Sequence, residues 1–195
     1  MDNVYKAPEA ALIDPATTAG GTAFFVTSIR KMAILYIATL GMYVLYWGYK
    51  QWDSQRHSMP KRIMPVWRSI FIIFFMHSLA RRIGERLQAQ GQPLGKPSGA
   101  ATLFVVLVVL GGVLGSVTSR NDVPVILDIL ALLLQLASLL PMISIQRQAN
   151  LASGDPEGAS NSSMSGSNIA FLILGGLLWL LYLAGLVMII LLGGA

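Results

Sequence analysis

The sequence predicts an all-α, polytopic helical membrane protein with four to five membrane-embedded helices. Of its 195 residues, 54% are hydrophobic and only 12% are charged, and the mean hydropathy is +0.63. A soluble domain of this length could not bury so much apolar surface. The apolar residues also fall in blocks of about the 20 residues that a helix needs to cross a hydrocarbon core of about 30 Å.

The chain divides into a flexible leader, residues 1–28, and a single membrane domain, residues 29–195. The leader contains Pro and Gly and lacks the basic-then-apolar start of a cleaved signal peptide. A loop rich in Ser, Gly and Asn, residues 146–168, is expected to be polar and flexible. The predicted helices lie at about 30–52, 63–82, 101–118, 123–145 and 169–192.

The first apolar segment is long enough to cross, because residues 32–52 would form a helix of about 30 Å. Gly41 is a candidate flexible point within it. Aromatic residues crowd its C-terminal half, where they are expected to form an interfacial belt. These residues are Tyr43, Tyr46, Trp47, Tyr49 and Trp52.

The second apolar segment is short, because only 12 residues separate Arg68 from Arg81. As a helix this stretch is about 18 Å long. Residues 70–76 are apolar on every side, which favours insertion over a surface position. The sequence leaves open whether this segment crosses completely.

The positive-inside rule separates three topologies for these segments. If all five helices cross with the N-terminus inside, Lys and Arg divide eight inside to six outside. If the first crosses from outside and the second only dips, the ratio is ten to four. If both dip from the cytoplasmic side it is thirteen to one, although helix length favours a crossing for the first. A cytoplasmic 50–62 connection is favoured, and all three topologies place 119–122 outside and 146–168 inside.

The stretch "ATLGMYVLYWGYKQW" resembles a motif of small uncharacterised bacterial inner-membrane proteins, Thr-Leu-Gly-x-Tyr-x-x-Tyr-Trp followed by a basic residue. The matching positions are Thr39, Leu40, Gly41, Tyr43, Tyr46, Trp47 and Lys50. The resemblance covers about residues 24–87. It implies a multi-pass protein of the bacterial inner membrane and implies no activity.

The net charge is +5 and most cations cluster between residues 50 and 96. Cations that flank membrane helices explain this better than nucleic-acid binding, so no nucleic acid is expected. The predicted partners are the lipid bilayer, its anionic headgroups, and a membrane protein or a second copy of the chain. The candidate surface for anionic lipid or a partner contains Lys50, Arg56, Lys61, Arg62, Arg81, Arg82 and Arg86.

A candidate polar seam runs along the fourth predicted helix. Asp128, Gln135 and Ser138 share one face with Ala131, and His77 is a more distant candidate member. An unpaired carboxylate inside the membrane costs on the order of 2.5–3.5 kcal/mol, so Asp128 should face protein or water. The seam is either an ion or proton pathway or a set of interhelical hydrogen bonds. The second interpretation is favoured.

The third predicted helix carries two small-xxx-small pairs, which let helices approach closely. These pairs are Gly111 with Gly115 and Gly112 with Ser116. They serve either internal packing or association with another helix.

No catalytic, metal or cofactor signature is present, and the chain has no Cys. We therefore expect no enzyme activity, no metal and no cofactor. The favoured function is a small non-catalytic inner-membrane scaffold, accessory subunit, regulator or immunity-type partner that uses the basic stretch and the Gly-notched helices. The alternative is a small ion, proton or solute transporter or channel that uses Asp128 and Gln135.

Overall fold

The computed structural model describes residues 24–59, 61–92, 97–119 and 124–192. Within these ranges the chain is helical without any strand, which confirms the all-α class. A short 3-10 turn, Ala159–Asn161, precedes the last helix. The helices are Ile29–Ala38 (α1), Tyr43–Ser54 (α2), Pro65–Ile70 (α3), Ile72–Ala89 (α4), Pro97–Thr118 (α5), Ile126–Ala137 (α6), Leu139–Ala152 (α7) and Gly166–Leu192 (α8).

Three helical stretches in the described part of the chain are long and apolar enough to cross a membrane. They are Pro97–Thr118, Ile126–Ala152 and Gly166–Leu191. The protein is thus a helical membrane protein with three candidate spans, and the first two apolar segments are not among them. The second span bends at Ser138, between α6 and α7, because Pro141 has no N–H to donate to the carbonyl of Ala137.

The predicted helix 30–52 is broken in its middle. Leu40 and Gly41 have φ values of 52° and 88°, which no α-helix tolerates. The Thr39 hydroxyl donates to the carbonyl of Leu35 at 2.8 Å and accepts from the backbone N–H of Tyr43 at 2.9 Å. Thr39 therefore ends α1 and caps the first turn of α2.

The two halves of this segment form a hairpin that enters and leaves at one end of the bundle. Phe25, before α1, and Gln51, near the end of α2, bond to each other and both bond to Gln146 of α7. The apex lies deeper, because a Cβ on Gly41 would be 2.8 Å from Nε2 of Gln135. Between Gln146 and Gln135 a helix rises about 16 Å. This distance is about half the thickness of a hydrocarbon core of about 30 Å.

The second segment, predicted as one helix over 63–82, is also broken, at Phe71 between α3 and α4. The turn of α3 into α4 packs beside α2, where a Cβ on Gly48 would be 3.0 Å from the Ile72 side chain. The far end of α4 reaches the end of α7, since Gln90 donates to the carbonyl of Ala152 at 3.1 Å.

The first hairpin changes the predicted position of the aromatic residues of α2. Tyr43, Trp47 and Trp52 are at most 1% exposed and belong to the core, whereas an interfacial belt was expected. The bend at Gly41 folds α2 back against α7, so that its aromatic face meets protein. Lys31 bonds to Asn161 and Ser163, and Lys50 lies over the Phe25 ring, so these two cations lie near the end of the bundle where α7 finishes.

This topology can be tested with single introduced cysteines, because the chain has none of its own. His57 and Glu157 are exposed near the end of α7, and Ser119 is exposed at the opposite end of α5. We expect a membrane-impermeant maleimide to label Cys introduced at 57 and 157 from the same side, and at 119 only from the other. Labelling of 57 and 119 from one side would show that the second segment crosses completely.

Candidate functional site

Among the described residues, Gln146 makes the largest set of hydrogen bonds to other side chains, and it is fully buried in α7. Its Oε1 accepts from Nε1 of Trp47 at 2.5 Å and from Nε2 of Gln51 at 2.9 Å. Its Nε2 donates to the carbonyl of Phe25 at 2.9 Å and to Oδ1 of Asn150 at 2.6 Å. All four hydrogen-bonding positions of this amide are thereby used.

Gln146 is the centre of what we call the amide cluster, which contains Gln51, Gln146, Asn150 and Asn161. The cluster binds the extended residues 24–28 through their backbone. Oδ1 of Asn150 accepts from the N–H of Thr27 at 3.3 Å, and its Nδ2 donates to the Thr27 carbonyl at 3.0 Å. Gln51 makes the same two bonds to Phe25 at 3.2 and 3.1 Å. Each side-chain amide thus accepts from the N–H and donates to the carbonyl of one residue, as the backbone of a neighbouring strand would.

The chain after α7 closes the cluster from the other side. Nδ2 of Asn161 donates to the carbonyl of Val26 at 2.8 Å, and its Oδ1 accepts a hydrogen bond from the ammonium of Lys31 at 2.6 Å. Lys31 is only 5% exposed, and its desolvation lowers the pKa of the ammonium. Gly158, at φ 67°, lies so close to Thr27 that a Cβ would be 2.4 Å from its carbonyl oxygen.

These contacts involve residues that were predicted to be flexible, in the leader, 1–28, and in the loop, 146–168. Residues 146–152 are the end of α7, and residues 24–28 are held in place by the amide cluster, while residues 1–23 are outside the described residues. Asp155 accepts from the N–H groups of Ala159 and Ser160, both at 2.9 Å, which lowers the pKa of its carboxyl. Buried polar pairing therefore organises stretches whose composition suggests flexibility.

The inner part of the predicted polar seam is used for packing. The hydroxyl of Tyr36 lies 2.6 Å from Oγ of Ser138 and donates to the backbone carbonyl of Gln135 at 3.1 Å. Next to them, a Cβ on Gly111 would be 3.3 Å from the carbonyl of Ala131 and from the N of Gln135. The seam therefore joins α6 to α1 and α5.

Asp128 and His77 lie apart from that packing. Asp128 is half-buried in the first turn of α6, within electrostatic range of Tyr182 of α8. His77 is exposed on α4, where its Nε2 is 3.0 Å from Oγ1 of Thr102. Among the described residues no three His, Asp or Glu side chains are grouped as metal ligands.

The two small-residue pairs of α5 point in different directions. Gly111 and Gly115 face α6, with Gly115 near Ala131, whereas nothing lies within 4 Å of a Cβ on Gly112. Gly112 and Ser116 line an open groove of about 640 Å³, which we call the notch groove. Its other lining residues are Ile73, Val108, Val109, Val113 and Val117.

The residues of the predicted basic surface do not share one environment. Arg56 lies 3.9 Å from Asp53, and Arg81 lies 3.7 Å from Glu85, both as exposed pairs of little net strength. Lys61, Arg62 and Arg86 are exposed, Arg82 is half-buried, and the Lys50 ammonium is 5.7 Å from the Phe25 ring.

The amide cluster and Arg68, which stacks on Trp52, were not predicted from the sequence. A signal for the cluster was present, because Trp47 and Gln51 in α2 and Gln146 and Asn150 in α7 both follow i, i+4 spacing at the end of an apolar run.

No protein-family model, curated protein or solved structure matches this chain. The resemblance to small bacterial inner-membrane proteins therefore stays a prediction. The geometry nevertheless gives its motif a structural role. Thr39, Leu40 and Gly41 form the apex of the first hairpin, and Tyr43 and Trp47 anchor its second helix in the core.

Proposed function

We propose that the protein is a non-catalytic, multi-pass protein of the bacterial inner membrane that acts as a scaffold, accessory subunit, regulator or immunity-type partner of another membrane protein. The observation that carries this proposal is the notch groove. Gly112 and Ser116 leave an open depression on a candidate membrane span, while the equivalent pair, Gly111 and Gly115, is used for a helix contact of the same kind inside the protein.

The proposed occupant of the notch groove is one transmembrane helix of the partner. Small residues four apart let two helix backbones approach closely, and the valines beside them supply van der Waals contacts. The groove is apolar apart from the Ser116 hydroxyl, as suits a helix that lies in lipid.

The basic end of the bundle supports the inner-membrane orientation. By the positive-inside rule this end faces the cytoplasm. There each Lys or Arg near the surface adds about 1 kcal/mol of attraction to anionic headgroups. The basic surface would fix the depth and orientation of the protein in the bilayer while the notch groove binds the partner helix.

The alternative of a transporter or channel has less support. It requires Asp128 and Gln135 to line a common water-filled path. Ser138, the next residue of the same seam, is bonded to Tyr36, and the Gly111 backbone packs against Gln135. These contacts use the seam for interhelical adhesion.

Site-specific photo-crosslinking in native membranes tests the proposal. A photoreactive residue at Val113, in the notch groove, should give a discrete adduct with another protein, and the change Gly112→Ile should remove it. The control position is Leu177, which is exposed on α8 next to Gly176, whose Cβ position is also open. Equal labelling at 113 and 177, or no adduct at 113, would contradict the proposal. An adduct with a second copy alone would replace the partner by a homo-oligomer.

A further inference from the structure

Arg68, outside the predicted basic surface, has the most constrained guanidinium of the described cations. Its Cζ lies 4.3 Å from the centre of the Trp52 ring and 5.0 Å from that of Phe75. The two rings meet edge to face at 6.2 Å, and Trp52 is fully buried. A guanidinium stacked on fixed aromatic rings keeps the orientation of its N–H donors.

Arg82 places a second positive charge within electrostatic range of Arg68. Phe75 and Arg82 are seven residues apart on α4 and so share one helix face. Burial first, and the charge of Arg82 second, lower the pKa of Arg68. In the described part of the chain neither arginine has a carboxylate within 4.0 Å, whereas the neighbouring Arg81 is paired with Glu85. Two cations within electrostatic range of each other, neither with a carboxylate partner, favour the binding of an anion.

The surroundings of the pair are apolar and exposed. Trp67 and Phe71 stack at 5.9 Å with 14° between their planes, and both are about half exposed. Val66, Ile70 and Phe74 continue this exposed face over α3 and the start of α4. A ligand that satisfies both features has an anionic head and long apolar chains.

We propose that Arg68 and Arg82 bind the phosphate group of an anionic phospholipid, whose acyl chains lie against the exposed apolar face of α3 and the start of α4. The guanidinium of Arg68, fixed by Trp52 and Phe75, donates to the phosphate, and Arg82 completes the site from α4. The inference deepens the proposed function, because it names a lipid partner of the basic end. It rests on the membrane location and not on the notch groove.

The chain offers a matched control for this site. Arg81 and Arg82 are adjacent and equal in charge, but Arg81 is paired with Glu85 and its side chain is 73% exposed. Loss of either arginine changes the net charge equally. Only the loss of Arg82 removes a member of the proposed Arg68–Arg82 site. Diffuse attraction to a negative surface predicts the same effect for both changes, whereas a built site predicts different ones.

The test measures phosphatidylglycerol binding to the full chain in detergent by native mass spectrometry, with phosphatidylcholine as the neutral reference. We expect Arg82→Gln and Arg68→Gln each to weaken phosphatidylglycerol binding about tenfold or more, the size of one lost charge-assisted hydrogen bond. Arg81→Gln should stay within about twofold of the unmodified chain, because a surface pair contributes little. Arg68→Lys keeps the charge without the planar fork and should give an intermediate loss.

Three results would overturn the proposal. These are equal losses for Arg81→Gln and Arg82→Gln, equal binding of the two lipids to the unmodified chain, or displacement of the lipid by millimolar inorganic phosphate. The last result would identify a site for free phosphate. Arg82→Gln should leave the crosslink at Val113 intact, so failure of the lipid site and failure of the partner groove are distinguishable.

Discussion

Replacing Gln146 with Leu is expected to lower the free energy of unfolding by about 4 kcal/mol, because it removes four buried hydrogen bonds at about 1 kcal/mol each. Leu is close to Gln in size, so lost hydrogen bonds and not a cavity would dominate. The Trp47 indole, the Gln51 amide and the Phe25 carbonyl would each lose a partner. Denaturant titration in detergent, followed by tryptophan fluorescence, measures the loss.

The matched control is Gln148→Leu, two residues along the same helix. Gln148 is half-exposed and donates only to the carbonyl of Ser144, at 3.3 Å. Its replacement should change stability by less than about 0.5 kcal/mol. Limited trypsin digestion adds a local measure, since cleavage after the buried Lys31 should accelerate only in Gln146→Leu. Equal effects of the two changes would show that the amide cluster does not stabilise residues 24–28.

Gly175→Ala should destabilise the packing of α8 on α1 by about 2–3 kcal/mol, the range for overpacking in a tight contact. A Cβ at this position would lie 2.2 Å from the carbonyl oxygen of Ala38, a backbone atom that cannot rotate away. Separation of the helices would also break the bond from Nε1 of Trp179 to the Ile37 carbonyl, which is 3.0 Å long. The apparent melting temperature in detergent should fall, and Trp179 emission should shift.

Gly176→Ala is the control for that change and should have the opposite sign. No atom lies within 4 Å of a Cβ at Gly176. In a helix Ala is favoured over Gly by up to about 1 kcal/mol, so this variant should be neutral or slightly stabilised. A Gly175→Ala protein as stable as the Gly176→Ala protein would mean that α8 does not pack closely against α1.

Helix length and hydropathy were sufficient to predict the three candidate spans. The predicted 101–118, 123–145 and 169–192 differ from the observed bounds only at their ends, most at the end of α7. The same criteria failed for the first segment. Leu40 has a positive φ although it is a good helix former, and the conformation is set by tertiary contacts of the Gly41 turn with Gln135 and Tyr36.

The candidate sites were predictable only in part. Small-xxx-small spacing identified both pairs of α5. Because the two pairs have the same spacing, the sequence does not say which of them faces α6. The amide cluster depends on partners more than 90 residues apart, such as Gln51 and Gln146, so the i, i+4 spacing within each helix does not say which residues meet. Arg68 is an isolated cation in an apolar run, and its stacking partner Trp52 belongs to another helix.

The amide cluster also determines when during synthesis the beginning of the protein can reach its final position. Val26 and Thr27 bond to Asn161 and Asn150, which the ribosome adds more than 120 residues later. Until then Val26 and Thr27 lack these partners, and only the bonds between Phe25 and Gln51 can form. Residues 26 and 27 therefore reach their final position only after the first two spans have been synthesised.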